Sequence, residues 1–183
     1  MENIYFTSDH HFGHKNIIKY SNRPFADVEE MNNSLIERWN SKIQKNDKVY
    51  HLGDIGFCDT STLKHIISQL NGKIHLVKGN HDRISSEIKN LFEWVKDYHE
   101  LKLNDVDHNS GKQLIVLSHY AMRVWNKSHH GSYHLYGHSH GELPDDIHSL
   151  SFDVGVDAHN YYPLSYQEVK EIMNKKEWVS PFE

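Results

Sequence analysis

Three apolar runs in the first 80 residues break off in the same way, and this constrains the fold more than any other feature of the chain. Asn3–Ser8 (NIYFTS) gives way to Asp9-His10-His11, Lys48–Leu52 to Gly53-Asp54, and Ile74–Val77 to Lys78-Gly79 followed by Asn80-His81-Asp82. Helical periodicities lie between them. Val28, Met31, Leu35, Ile36, Trp39 and Ile43 recur at helical spacing from Asp27 to about Ile43, with Asp27 and Glu30 suggesting a capped N-terminus. Leu63, Ile66, Ile67 and Leu70 form one face of Thr60–Leu70, which Gly72 stops. Strand and helix in alternation predict an α/β chain with mostly parallel strands. Parallel strands share one carboxyl edge, where open α/β sheets bind their ligands.

The second half reads as mostly β. After a short helix near Ser86–Leu91, Trp94–Tyr98, Glu100–Val106, Lys112–Ser118, His134–Tyr136 and Ser151–Val154 are candidate strands, with a hairpin turn at Asn109-Ser110-Gly111. A last helix spans about Tyr166–Asn174, with Ser165 as N-cap and Glu168 three residues on. Two of these strands again end in ligand-type residues, at Ser118-His119 and Gly137-His138-Ser139-His140. The simplest arrangement is two sheets packed together with helices outside, in one domain over residues 1–183.

Composition narrows the chemistry. Seventeen histidines nearly match the 20 lysines plus arginines, and no hexahistidine tract explains them; histidine is the commonest metal-ligating side chain. A net charge of −5 argues against an extended nucleic-acid surface, which would rest on Lys and Arg. No apolar stretch approaches the ~20 residues of a membrane span, and Met1-Glu2-Asn3 does not open a signal peptide. The single cysteine, Cys58, excludes an internal disulfide and fits a cytoplasmic location.

Each strand ending alone is ordinary. Asp-x-His and Gly-Asp occur in surface turns, and Gly-Asn-His-Asp could be a turn and nothing more. Gly-His-Ser-His places two imidazoles on the same side of an extended segment, which suits chelation. Taken in order, the set supplies two carboxylates, at least four imidazoles and one amide oxygen, with no thiolate. That exceeds the needs of one tetrahedral zinc and suits two first-row ions sharing a carboxylate. Mn²⁺ is preferred, with Fe, Zn or Ni as alternatives. Two such ions against two carboxylates would leave roughly +2 in the pit, or +1 with a bound hydroxide, which would attract a phosphoryl group.

The ordered motifs D-x-H, G-D, G-N-H-D, S-H and G-H-x-H, running from Asp9 to His140, resemble the calcineurin-like metallophosphoesterase superfamily. The opening SDHHFGHKNIIKYSNRPF is also similar to small bacterial and phage phosphoesterases. The resemblance implies a four-layer α/β/β/α sandwich of two mixed sheets flanked by helices. It also implies that Asp9, His11 and His140 hold one ion, that Asn80, His119 and His138 hold a second, and that Asp54 bridges them. His81 would then be the proton donor to the leaving group and Asp82 the residue that orients it, with a metal-bridged hydroxide as nucleophile. The D-x-H register selects His11 and leaves His10 to packing or support.

The expected activity is hydrolysis of phosphodiesters in small or nucleotide-like substrates. The alternatives are a phosphomonoesterase or nucleotidase, a nuclease on short single strands, or a non-enzymatic scaffold. His14, Lys15, Asn16, Arg23, Arg83 and Arg123 are candidates for substrate contact, with Arg23 and Arg123 preferred because guanidinium forks suit phosphate. Trp125 and Tyr133 could stack a base but fit the core better. An edge strand or Tyr161-Tyr162-Pro163 could support a dimer.

Overall fold

The computed structural model describes residues 3–106 and 111–182. The hairpin turn expected at Asn109-Ser110-Gly111 lies outside them except for Gly111. In chain order the elements are β1 (Ile4–Thr7), α1 (Lys15–Tyr20), α2 (Val28–Lys42), β2 (Lys48–His51), α3 (Thr60–Ile67), β3 (Lys73–Val77), α4 (Ser86–Lys89) and β4 (Trp94–Lys96). They continue with β5 (Tyr98–Asn104), β6 (Lys112–Ser118), β7 (Tyr133–Tyr136), β8 (Ser151–Asp153), β9 (Leu164–Ser165) and α5 (Tyr166–Met173).

Two mixed sheets form the α/β fold. The first has the order β4-β3-β2-β1-β9, parallel except for β9, and the second β5-β6-β7-β8, parallel except for β5. Successive strand residues face opposite ways. Tyr5, Val49, Ile74 and Leu76 therefore pack with the helical core that includes Met31, Leu35, Trp39, Leu63 and Ile88. Phe6, Tyr50 and Val77 pack with Leu101, Ile115, Leu117, Leu135 and Phe152 of the second sheet, joined by Val169 and Met173 of α5. Trp125 and Tyr133 belong to this second core, so neither is available to stack a base.

The caps follow the sequence. Asp27 accepts hydrogen bonds from the Glu29 and Glu30 amides at the start of α2, and Ser165 with Glu168 forms a full capping box on α5. Two elements were not anticipated. Helix α1 has six residues, of which only Ile17 is buried. Strand β9 has two residues, paired antiparallel to β1 through Phe6 and Leu164. Pieces this short carry too little periodicity to register. Tyr161 packs on Phe25 with ring centroids 5.2 Å apart and carries the Arg38 guanidinium 5.2 Å from its ring centre, so this aromatic is engaged within the chain.

His10 is fully buried, stacked on Phe12 and edge-on to Trp39. Its Nδ1 lies 2.9 Å from Nε2 of His51, whose Nδ1 accepts from the Gly53 amide. Burial pushes the His10 imidazole well below its ordinary pKa and that of His51 down to about 3. The pair is therefore neutral, with His51 donating to His10, and His10 does the packing work expected of it.

Candidate metal centre

The parallel strands deliver their carboxyl ends to one place. Beyond β1 and β2 the two chains continue side by side: Asp9, His11 and Phe12 amides donate to the carbonyls of Gly53, Asp54 and Ile55, each at 3.0 Å. In the second sheet the Gly137 amide donates to the His119 carbonyl. The sheets are tied to each other by the His138 amide, which donates to Asp9 Oδ2 at 2.9 Å. The backbone here is unusual. Asp9, His11, Asp54, His138 and His140 all have φ between 49° and 68°. Non-glycine residues rarely adopt this left-handed region, and such strain concentrates at functional sites.

The side chains gather into two clusters. Ligand atoms of Asp9, His11 and His140 lie within 4.8 Å of one another, as do those of Asp54, His119 and His138. In the first cluster, Asp9 Oδ1 and His11 Nε2 are buried with no hydrogen-bond partner. Asp9 uses its other oxygen to accept from Ser8 Oγ and the His138 amide. Burial raises the Asp9 carboxyl to about 7, against the opposing pull of His140 and Ser8. A carboxylate so placed lacks compensating positive charge, and a cation would supply it.

In the second cluster, His119 Nδ1 donates to the Leu52 carbonyl at 2.7 Å, leaving Nε2 to face Asn80 Oδ1 at 3.0 Å. A metal ion or a proton between these two atoms would satisfy both lone pairs. Burial disfavours protonation of His119, but Asp54, Asp9 and the Leu52 carbonyl together outweigh it and raise its pKa. Asp54 joins the clusters: Oδ2 lies 3.5 Å from His11 Nε2 and 3.5 Å from His119 Nε2. Burial would raise the Asp54 carboxyl, yet hydrogen bonding from His119 and the His81 amide and the nearby imidazoles hold it at about 2. Orphaned buried donors, opposed lone pairs and a shared carboxylate all fit a pair of divalent ions, and the two His/Asp clusters are consistent with a dinuclear site.

Glycine is needed where these loops touch. A Cβ on Gly79 would sit 2.2 Å from Asp54 Oδ1, and one on Gly53 (φ +98°) 2.5 Å from the Gly79 nitrogen. Gly79 therefore serves close approach to Asp54, beyond simply ending a strand.

The remaining expected residues divide. The His81 amide donates to Asp54 Oδ1 at 2.8 Å, and its ring lies 5.5 Å from the His11 ring at the mouth of the pit. Asp82 does not bond the His81 imidazole as expected. Its carboxylate accepts from the Asp54, Ile55 and Gly79 amides at 2.8–3.0 Å and so ties the turn after β2 to the turn after β3. His14 stands next to the site, its ring 5.3 Å from that of His11. Asn16 and Lys15 are exposed on α1, and Arg83 is exposed beside His81.

Two preferred contacts fail. Arg23 is 4% exposed and its guanidinium is saturated: Nε and Nη2 donate to Asp157, Nη1 to the His10 carbonyl and Nη2 to the Asp9 carbonyl. It braces the loop beneath the first cluster and cannot meet a phosphate. Arg123 lines a separate cavity with Ser128, Ser149 and Leu150. Ser149 and Leu150 precede β8, at the strand end opposite His138, because the crossover from β6 must return the chain to the start of β7.

Asp157 was missed. His140 Nδ1 lies 2.7 Å from Asp157 Oδ2, which fixes the tautomer so that Nε2 carries the lone pair toward Asp9 and His11. Strand β8 empties into Gly155-Val156-Asp157, the same kind of ending as the other five, so the signal was present. Replacing such a support for a ligating histidine costs about 10–100-fold in metal affinity. Asp157→Ala is expected to weaken metal binding by that factor, measured by competition against a chelator; unchanged affinity would mean that His140 is oriented without it.

The sequence model of the calcineurin-like phosphoesterase superfamily domain matches residues 3–152, a span that includes every ligand-type residue from Asp9 to His140. Protein MJ1445 of Methanocaldococcus jannaschii is 32% identical over 182 residues, covering 96% of this chain and 93% of its own. The gene 66 protein of Mycobacterium phage L5 is 29% identical over 199 residues, covering 95% of each chain. Among solved structures, protein AQ665 of Aquifex aeolicus superposes with a TM-score of 0.72 at 24% identity, over 94% of this chain and all of that one, a likeness of fold. Five strand ends converge on two histidine–carboxylate clusters and the family model spans them all, so the chain belongs to the calcineurin-like phosphoesterase superfamily.

Proposed function

We propose that the chain is a dinuclear metal-dependent phosphodiesterase acting on small or nucleotide-like substrates. The observation that carries this reading is Asp54 Oδ2, placed equally between an imidazole of each cluster. Asp9, His11 and His140 would hold one ion, and Asn80, His119 and His138 the other, with Asp54 shared. The donors are oxygen and nitrogen without thiolate, which favours Mn²⁺, with Fe, Zn or Ni as alternatives. Such a pair of ions supplies Lewis acidity toward the phosphoryl oxygens and a nucleophile available at neutral pH.

The protein's own groups do the rest. His81 stands at the mouth, its amide tied to Asp54 and its imidazole free of hydrogen bonds among the described residues. It gives a proton to the departing oxygen as the P–O bond breaks and water oxygen joins phosphorus. Asp82, by gripping both turns, keeps Asp54 and Asn80 at fixed separation. A proton donor matters most for an alkoxide leaving group, which is the case for a diester of an alcohol. Among the described residues no helix is long and apolar enough to cross a membrane.

The test compares bis-p-nitrophenyl phosphate with p-nitrophenyl phosphate at saturating Mn²⁺. A higher kcat/KM for the diester is expected; a clear monoester preference would replace this reading with a phosphomonoesterase.

A further inference from the structure

A cavity of about 170 Å³ opens beside the metal centre, lined by Gly56, Phe57, Cys58, Leu63, His81, Asp82, Arg83 and Ile84. We propose that this cavity is a nucleotide subsite: a planar base lies against Phe57, and Arg83 meets a further phosphate. The inference rests on the proposed phosphodiesterase activity and names the kind of group that the substrate carries.

Three features point to such a ligand. His81 belongs both to the cavity wall and to the mouth of the pit, so a group lodged here is joined directly to a phosphate over the clusters. Phe57 is 44% exposed and shares the cavity with the apolar side chains of Leu63 and Ile84. Its ring stands 4.7 Å from His14 and edge-on to His81 at 5.5 Å, which makes a continuous aromatic ledge from the cavity to His11. Arg83 is exposed and, among the described residues, pairs with no carboxylate. The only acid in the wall, Asp82, is occupied by three backbone amides.

The size fits one moiety and not a whole ligand, since pockets enclosing complete small molecules run to about 300–1,000 Å³. A slot with an aromatic and aliphatic wall at Phe57, Leu63 and Ile84, a guanidinium at Arg83 and the metal clusters beyond His81 matches the sequence base, sugar, phosphate. The base-stacking residue is thus Phe57 from the turn after β2, and not Trp125 or Tyr133, which are core.

The experiment is calorimetric binding of adenosine monophosphate, adenosine diphosphate and methyl phosphate to the Mn²⁺-loaded protein and its variants. The unmodified protein is expected to bind the monophosphate at least tenfold tighter than methyl phosphate. Phe57→Ala should remove about tenfold of that preference, the size of a stacking contact, while leaving methyl phosphate affinity within twofold. Arg83→Ala should remove any advantage of the diphosphate over the monophosphate. Equal affinity for adenosine monophosphate and methyl phosphate, or an unaltered preference in Phe57→Ala, would overturn the subsite. Mn²⁺-dependent hydrolysis of bis-p-nitrophenyl phosphate, measured alongside, separates the two ideas: if it persists, only the subsite has failed.

Discussion

Asp54→Asn is expected to lose metal from both clusters and to lower phosphodiesterase activity by more than about 10³-fold, since charge stabilisation and nucleophile supply would go together. The variant is nearly isosteric, so the effect isolates charge. Asp54 Oδ2 faces His11 Nε2 and His119 Nε2 at 3.5 Å each, and a neutral amide there would present an N–H or a weaker oxygen to one of two cations. The Oδ1 position can still accept the His81 amide, which keeps the loop in place. Metal per chain after gel filtration is the deciding measurement, with circular dichroism to show an intact fold. Retention of two ions per chain would mean that Asp54 does not link the clusters.

His81→Ala should behave in the opposite way. Metal content is expected to be unchanged, because no cluster contains its imidazole. The rate should fall by about 10²–10⁴-fold on a diester whose leaving group is a nucleoside or alkyl alkoxide. On bis-p-nitrophenyl phosphate the loss should be much smaller, because p-nitrophenolate departs without needing a proton. That split between leaving groups distinguishes proton donation from simple positioning, which would slow both substrates alike. Full activity of His81→Ala on the unactivated diester would remove the catalytic assignment. The two variants together separate metal retention, which belongs to Asp54, from leaving-group chemistry, which belongs to His81.

Much of the site was readable because its residues sit at strand ends. A strand end is legible from local pattern, since an apolar run must stop and the residues after it are exposed to whatever the sheet edge faces. The strand ends supply the candidates in order, the resemblance to the calcineurin-like superfamily selects Asp9, His11, Asp54, Asn80, His119, His138 and His140 among them, and the two clusters contain six of these. His10 was separable from His11 by register, and it proved to be packed on Trp39 and Phe12. The long helix α2 and the capping box of α5 were equally legible, for the same reason: both are encoded within a few consecutive residues.

The failures concern side chains whose partners come from far along the chain. By local sequence Arg23 suits a phosphate contact, yet its carboxylate is Asp157, 134 residues away. By position Asp82 suits orientation of its neighbour His81, yet it accepts from amides 27 and 28 residues earlier. Arg123 was placed by its nearness in sequence to His119, but a parallel crossover leads away from the carboxyl edge before it returns.

From local sequence alone came the α/β alternation, the order of the ligand-type residues and the metal chemistry that their donor set allows, because periodicity and residue type are properties of short segments. Tertiary structure decided the rest. It brought Asp54 between imidazoles from two different sheets and placed Gly79 where only a missing Cβ lets the turns meet. It also buried the arginine expected outside and left Phe57 exposed beside His81. The physical reason is the same in each case: a hydrogen bond, an ion pair or a close approach depends on two positions at once, and only folding brings distant positions within a few ångströms.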